Sequence, residues 1–215
     1  MRSVVRPDWV ERQLRRRGIR DERVLEAMRR VPREAFVPAA ARRHAYADAA
    51  LALSHGQTIS QPYVVALICQ ALELQGGERV LDVGTGSGYQ AAVLVELGSD
   101  VVSVERIPEL AEEARRNLAA AGYDVEVRVG DGALGVPERA PFEAIAVAAS
   151  AANLPAPLYD QLAENGRLVL PIDESLVAVT RTASGPRTRF LSPVRFVPLV
   201  HGLPDRGLPD HGLPD

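Results

Sequence analysis

Apolar residues recur at helical spacing in two short stretches between Asp8 and Val31, WVERQLRRR and ERVLEAMRRV, with Gly18 between them and Pro32 after them. They predict a helical N-terminal cap over residues 1–50. The segments REAFVP and AARRHAYADAALAL that follow have no clear period. From Val64 to Leu74, apolar positions 64, 65, 67, 68, 71, 72 and 74 again follow a helix, and Gly76-Gly77 is expected to end it.

The rhythm then changes to strand, turn, helix. RVLDV (79–83) is β-rich, GTGSG (84–88) is a glycine turn, YQAAVLVEL (89–97) a helix and VVSVE (101–105) a second strand. PELAEEARRNLAAAG (108–122) is a helix with Pro108 in its first turn and Gly122 at its end, and VEVRV (125–129) a third strand. EAIAVAA (143–149) reads as a fourth strand, LPAPLYDQLAENG (154–166) as a helix and RLVLPI (167–172) as a fifth strand. SLVAVTRT, the turn SGPRT and RFLSPVRFVPLV read as two further strands joined by a hairpin-type link. This order predicts an α/β fold: a doubly wound, Rossmann-like sheet, mostly parallel, with helices on both faces and an antiparallel C-terminal edge.

The 215 residues suit one well-buried domain, expected to run from 1 to 201, with 51–201 carrying the sheet. HGLPD, RGLPD and HGLPD close the chain as a strict repeat, whose glycine and proline oppose helix and strand alike; residues 202–215 are expected to be a disordered tail. No apolar stretch reaches the roughly 18 residues of a membrane span, and MRSVVRPDWVERQLRRR lacks the apolar core of a signal peptide, so a cytoplasmic protein without membrane contact is expected.

Cys69 is the one cysteine, which excludes an intrachain disulfide and a cysteine-cluster metal site. All 25 basic residues are arginine, so Schiff-base and Walker-type lysine chemistry is excluded too. Residues 1–50 hold 13 Arg against 7 acidic residues, within a chain of net charge −3. The arginines are interleaved with Asp8, Glu11, Asp21, Glu22 and Glu26, the pattern of a solvated helix face, and no nucleic-acid partner is expected.

The chemistry concentrates in LDVGTGSGYQAA. Glycines between a strand and a helix allow a tight turn and close approach of a ligand, and Glu105 at the end of the next strand can bind ribose hydroxyls. That pair predicts an adenosine-containing cofactor. Asp82 just before the turn suits a sulfonium and an ammonium better than a diphosphate, and GxGxG replaces the dinucleotide spacing GxGxxG. Asp131-Gly132, after the third strand, is placed to hold an adenine amino group.

VPREAFVP, HGQTISQPYVVAL, LDVGTGSGYQAAVL, VVSVERIPELAEEARRNL and VGDGALG together resemble the protein-L-isoaspartate O-methyltransferase family, over about Asp8 to Val200. The resemblance implies a methyltransferase sheet, S-adenosyl-L-methionine as cofactor, and isoaspartyl-containing damaged proteins and peptides as substrates. A monomer is expected, and no metal, since the histidines lack metal-ligand spacing. The resemblance assigns Ser60 as the active-site serine, with Thr58 and Ile59 beside it on the cofactor side. Asp82, Gly84, Thr85, Gly86, Ser87 and Gly88 become the methionine-binding loop, Glu105 with Arg106 the ribose side, and Asp131 and Gly132 the adenine contacts. The chain departs from the family pattern at Ala148–Asn153, where a Thr-Ala-Ala-Ala-Pro-like segment is usual, and at Asp173, where Gly is common.

A Ser-His hydrolase built from Ser60 and His55 is the rival reading, but Ser60 lies outside a GxSxG elbow and nothing nearby marks an orienting acid. A substrate carboxylate is ionised at neutral pH, so methylation needs alignment more than a general base. In SQPYVVAL, Ser60 is also expected to cap the following helix.

Overall fold

The computed structural model describes residues 9–204. Residues 1–8 of the expected N-terminal cap, and 205–215 of the expected tail, lie outside the described residues.

The cap is shorter-stepped than its pattern suggests. Helix α1 (Trp9–Gln13) passes into a 3-10 turn over Arg15–Arg17, which Gly18 closes at φ 102°. Helix α2 (Glu22–Arg30) starts at Asp21, whose carboxylate accepts the backbone N–H of Arg23 and Val24. Several of the cap's arginines are matched inside the molecule. Arg15 pairs with Glu11 and Glu22, Arg17 with Asp48, and Arg30 with Glu26 and Glu96. Arg23 instead donates to the carbonyls of Leu74 and Leu97, the first just past the C-terminus of helix α3 (Pro62–Leu72) and the second at the C-terminus of α4 (Tyr89–Glu96).

Between cap and sheet lies a small hairpin, β1 (Leu51–Ala52) against β2 (Thr58–Ile59), too short for any period to reveal. Helix α3 stops at Glu73, which takes the left-handed position at φ 51°; the Gly76-Gly77 pair comes only after the helix has ended.

The main sheet contains β3 (Arg79–Val83), β4 (Asp100–Glu105), β5 (Glu126–Val129), β6 (Phe142–Val147), β7 (Leu162–Ile172), β8 (Ser175–Thr182) and β9 (Gly185–Pro193). Their order is β5-β4-β3-β6-β7-β8-β9. The first five in that order run parallel, and β8 and β9 add the antiparallel edge. Successive residues of the parallel strands face opposite layers: Val80, Val101, Ala144 and Val169 pack with the helices of the cap, α3 and α4, while Leu81, Val102, Ile145 and Leu168 pack with Leu158 and Val136. Both layers are apolar because both are covered. Helix α5 (Pro108–Ala121) has Pro108 at its start and Gly122 (φ 84°) at its end, as expected.

Two expectations need correction. The helix expected over 154–166 is the single turn and a half of α6 (Ala156–Asp160), and β7 begins already at Leu162. Gln161 breaks the helix: its side chain accepts the N–H of Val136 and donates to the carbonyls of Leu134 and Pro157, and Leu162 then pairs with Phe142. The last strand ends at Pro193; residues 194–200 leave the sheet, and Pro198 forms an isolated bridge with Ser150.

Candidate active site

Strand order reverses between β4 and β6, the two neighbours of β3, which opens a crevice at the carboxyl ends of these strands. Val83 pairs with Val104 on one side and Val147 on the other, so all three strands finish level. The glycine turn starts there. Gly84, Gly86 and Gly88 have φ of 88°, 54° and 91°, conformations in which a side chain would be strained. The N–H groups of Gly84 and Thr85 both point at the Val104 carbonyl, and that of Gly88 at Thr85.

Asp82 is wholly buried under this turn. Its Oδ1 accepts from Gln90 Nε2 at 2.8 Å and its Oδ2 from Ser103 Oγ at 2.7 Å, and Ser103 Oγ lies 2.6 Å from Thr85 Oγ1. Burial pushes the carboxyl up to about 6. Both carboxylate oxygens of Asp82 are thus engaged within the protein, beneath the turn. Thr85 and Ser87 are likewise turned inward, leaving the backbone of the turn as its outer surface.

Glu105 reaches the same turn from β4. Its Oε2 accepts the N–H of Gly86 at 3.0 Å and its Oε1 that of Ile107 at 3.1 Å. Burial raises its pKa, and these backbone bonds oppose the rise. Asp131 Oδ1 accepts the N–H of Ala133 at 2.9 Å, while Oδ2 accepts that of Gly202 at 2.8 Å. Arg106 Nε donates to the Gly202 carbonyl at 3.3 Å. Gly202, expected to open the disordered tail, is bonded to Asp131 and Arg106. Gly132 has to be glycine, since a Cβ there would come within 2.7 Å of Val83 Cγ1.

The β1–β2 hairpin brings the serine segment to the turn. His55 and Gly56 form its tip in left-handed conformations, and Leu53 lies within ordinary contact distance of a Cβ built on Gly86. Ser54 Oγ donates to Glu113 Oε2 at 2.7 Å, tying the hairpin to α5. Thr58 is exposed, Ile59 buried and Ser60 half-buried. Ser60 does not cap α3: Gln61 holds the N-cap position without a side-chain cap, and its amide reaches Asp48 instead. Among the described residues no hydrogen bond joins His55 to Ser60, so the hydrolase arrangement is not formed.

One residue beside the site was not singled out from the sequence. Arg33 is wholly buried and donates to the carbonyls of Ala45 and Ser60, each at 2.7 Å, with its guanidinium carbon 4.7 Å from the centroid of the Tyr89 ring. The available signal was an arginine set between Val31-Pro32 and Phe36 in VPREAFVP.

The crevice suits S-adenosyl-L-methionine: its donor set is acidic or backbone amide, with carboxylates at Asp82, Glu105 and Asp131 around a turn that offers no phosphate-binding lysine. The family model for protein-L-isoaspartate(D-aspartate) O-methyltransferase matches residues 8–203. The chain belongs to this family. It is similar to protein-L-isoaspartate O-methyltransferase 2 of Anaeromyxobacter sp. (strain Fw109-5), 56% identical over 199 residues covering 90% of this chain and 82% of the relative. The protein-L-isoaspartate O-methyltransferase of Methanoculleus marisnigri is 51% identical, covering 91% of both. Among solved structures, an isoaspartyl methyltransferase from Plasmodium falciparum in complex with S-adenosyl-L-homocysteine superposes with a TM-score of 0.78 at 30% identity, covering 89% of this chain and 96% of that one.

The two departures from the protein-L-isoaspartate O-methyltransferase pattern meet in space. Ser150 Oγ donates to the Asp173 carbonyl at 2.7 Å, and the Asp173 N–H donates to the Ala151 carbonyl at 3.0 Å. Asp173 has φ 49°, which accounts for the glycine usual there. Ala148 packs against Gly84, so the departing segment begins directly beside the glycine turn.

Proposed function

We propose that this methyltransferase esterifies the carboxyl group of L-isoaspartyl residues in damaged proteins and peptides, starting their repair through a succinimide, and that Ser60 is its active-site serine. The observation that supports the reading is the contact of the hairpin with the glycine turn: Leu53, in the loop that joins β1 to β2, lies within contact distance of a Cβ built on Gly86.

S-adenosyl-L-methionine, when bound, supplies a methyl group on a positively charged sulfur. The backbone of the Gly84–Gly88 turn would hold its methionine part, Glu105 and Arg106 its ribose, and Asp131 with Gly132 its adenine; Thr58 and Ile59 would flank it from the hairpin. Asp82 adds a negative charge beneath the turn that favours a cation above it. On the other side, Ser60 and the positive end of α3 face an anion. The substrate carboxylate, with a usual pKa near ~4, arrives ionised, so the residues have to orient it and keep water away. Ser60 positions this nucleophile and does not need to become one.

The reading takes the enzyme to act on protein substrates as a cytoplasmic monomer, without nucleic acid or membrane. It is supported by the local pairing of the cap's arginines and by the finding that, among the described residues, no helix is long and apolar enough to cross a membrane.

The test is a matched pair of peptides, one with L-isoaspartate and one with L-aspartate at the same place, incubated with methyl-labelled S-adenosyl-L-methionine. Base-labile label on the isoaspartyl peptide is expected. Label on the aspartyl twin alone, or on neither, would overturn the proposal.

A further inference from the structure

Arg33 is a costly residue to bury. It is inaccessible to solvent, its Nη1 has no hydrogen-bond partner, and no carboxylate lies within ion-pair distance among the described residues. An apolar side chain of similar volume would fill the same space without desolvating a charge. What such a side chain could not do is bond two carbonyls from different segments at once. Arg33 sits in the 3-10 turn Arg33–Phe36 that follows α2. Its Nε holds Ala45, its Nη2 holds Ser60, and its guanidinium carbon lies over the ring of Tyr89, the residue immediately after Gly88. Tyr89 is itself fixed, packed edge-on against Phe36 with its hydroxyl on Met28 Sδ.

We propose that Arg33 is a positioning residue for methyl transfer, a rigid strut that sets the distance between the Ser60 segment and the glycine turn. The inference rests on the assignment of Ser60 proposed above. The two sides of the site come from elements far apart in the chain, a hairpin before α3 and a turn after β3. The bond to Ser60 and the cation–π contact with Tyr89 are made by one planar group, so a shift of either side is transmitted to the other. Lysine cannot replace it: an ammonium is a point charge on a flexible stem, and it lacks the fixed fork that spans both carbonyls.

The test is a double-mutant cycle of Arg33→Lys with Ser60→Ala, measuring kcat and KM for an isoaspartyl peptide at saturating cofactor, and the Tm of all four proteins. Arg33→Lys is expected to lower kcat roughly tenfold or more in a folded protein, because a displacement near 1 Å misaligns the reacting atoms. On the Ser60→Ala background the same change is expected to alter kcat by no more than about twofold, since the group it positions is gone. A merely structural role would lower Tm alike on both backgrounds and leave kcat of the folded proteins unmoved. If Arg33→Lys does not fold, Arg33→Gln, which removes the buried charge and can still donate to one carbonyl, carries the same cycle.

A folded Arg33 variant with wild-type kcat, or a full kcat loss that persists on the Ser60→Ala background, would overturn the inference while leaving Ser60 in its role. Full activity of Ser60→Ala alone would overturn the Ser60 assignment, and the Arg33 inference with it.

Discussion

Ser150 donates its hydroxyl hydrogen to the backbone carbonyl of Asp173 across 2.7 Å, which fastens the loop after β6 to the turn after β7. Asp173 pays for that turn with a left-handed backbone, φ 49°. A side chain in this region costs about 1 kcal/mol, and both bonds at Asp173 use its backbone alone. Asp173→Gly is therefore expected to keep the contact and raise stability by about 0.5–1 kcal/mol, roughly 1–4 °C in Tm for a chain of this size. A lower Tm by calorimetry would refute the strain argument.

Asp82 makes stability depend on pH. Burial raises its pKa from the ordinary carboxyl range to about 6 in the folded protein, so between about 4 and 6 the folded state binds more protons than the unfolded state. This contribution makes stability fall as pH rises through that window and level off above it, by an amount on the order of 3 kcal/mol. Glu105, also raised by burial, acts with the same sign. Asp82→Asn keeps the bond from Gln90 and can donate to Ser103, whose hydroxyl then turns to Thr85. On going from pH 4 to pH 7 the urea midpoint of the variant is expected to change in a more positive direction than that of the wild type; an identical change in the two proteins would rule this account out.

Glu105→Gln exchanges one acceptor oxygen for a donor that faces a backbone N–H of Gly86 or Ile107. With a hydrogen bond to a charged group worth about 1.5–3 kcal/mol, affinity for S-adenosyl-L-homocysteine is expected to fall roughly tenfold or more. Titration calorimetry reads this directly. Unchanged affinity would remove Glu105 from the ribose side.

Ser60→Ala is expected to reduce turnover of isoaspartyl peptide by roughly tenfold to a hundredfold, with a smaller change in cofactor affinity. The hydroxyl makes no cap to α3, so Tm is expected to stay within about 1 kcal/mol of wild type in free-energy terms. A variant that folds normally and turns over at the wild-type rate would end the assignment.

The central strand-turn-helix units could be read from residue order because local rules agree there. The apolar run of β3 ends in Gly84, the helical run of α5 ends in Gly122, and Pro108 starts that helix just where its missing N–H does no harm. The α6–β7 boundary was hidden because Leu154, Leu158 and Leu162 fit a helix equally well. Only the side chain of Gln161, bound to residues 134–136 far along the sequence, decides otherwise. The same holds at the site. Glu105 and the glycine turn lie within one βαβ unit and were legible, whereas Arg33 joins Ala45, Ser60 and Tyr89 through contacts that no spacing encodes. Ser60 was expected to cap a helix because its neighbours resemble a capping sequence, but Pro62 begins α3 one residue too late for it.

Cys69 lies wholly inside α3's packed face, and burial drives its thiol far up from the ordinary range, so no appreciable thiolate exists at neutral pH. Since it is the single cysteine of the chain, the protein is already prepared for site-specific labelling. A cysteine introduced at exposed His55, the tip of the hairpin, would be the one reactive thiol, and a fluorophore there would report in real time when the hairpin moves against the glycine turn.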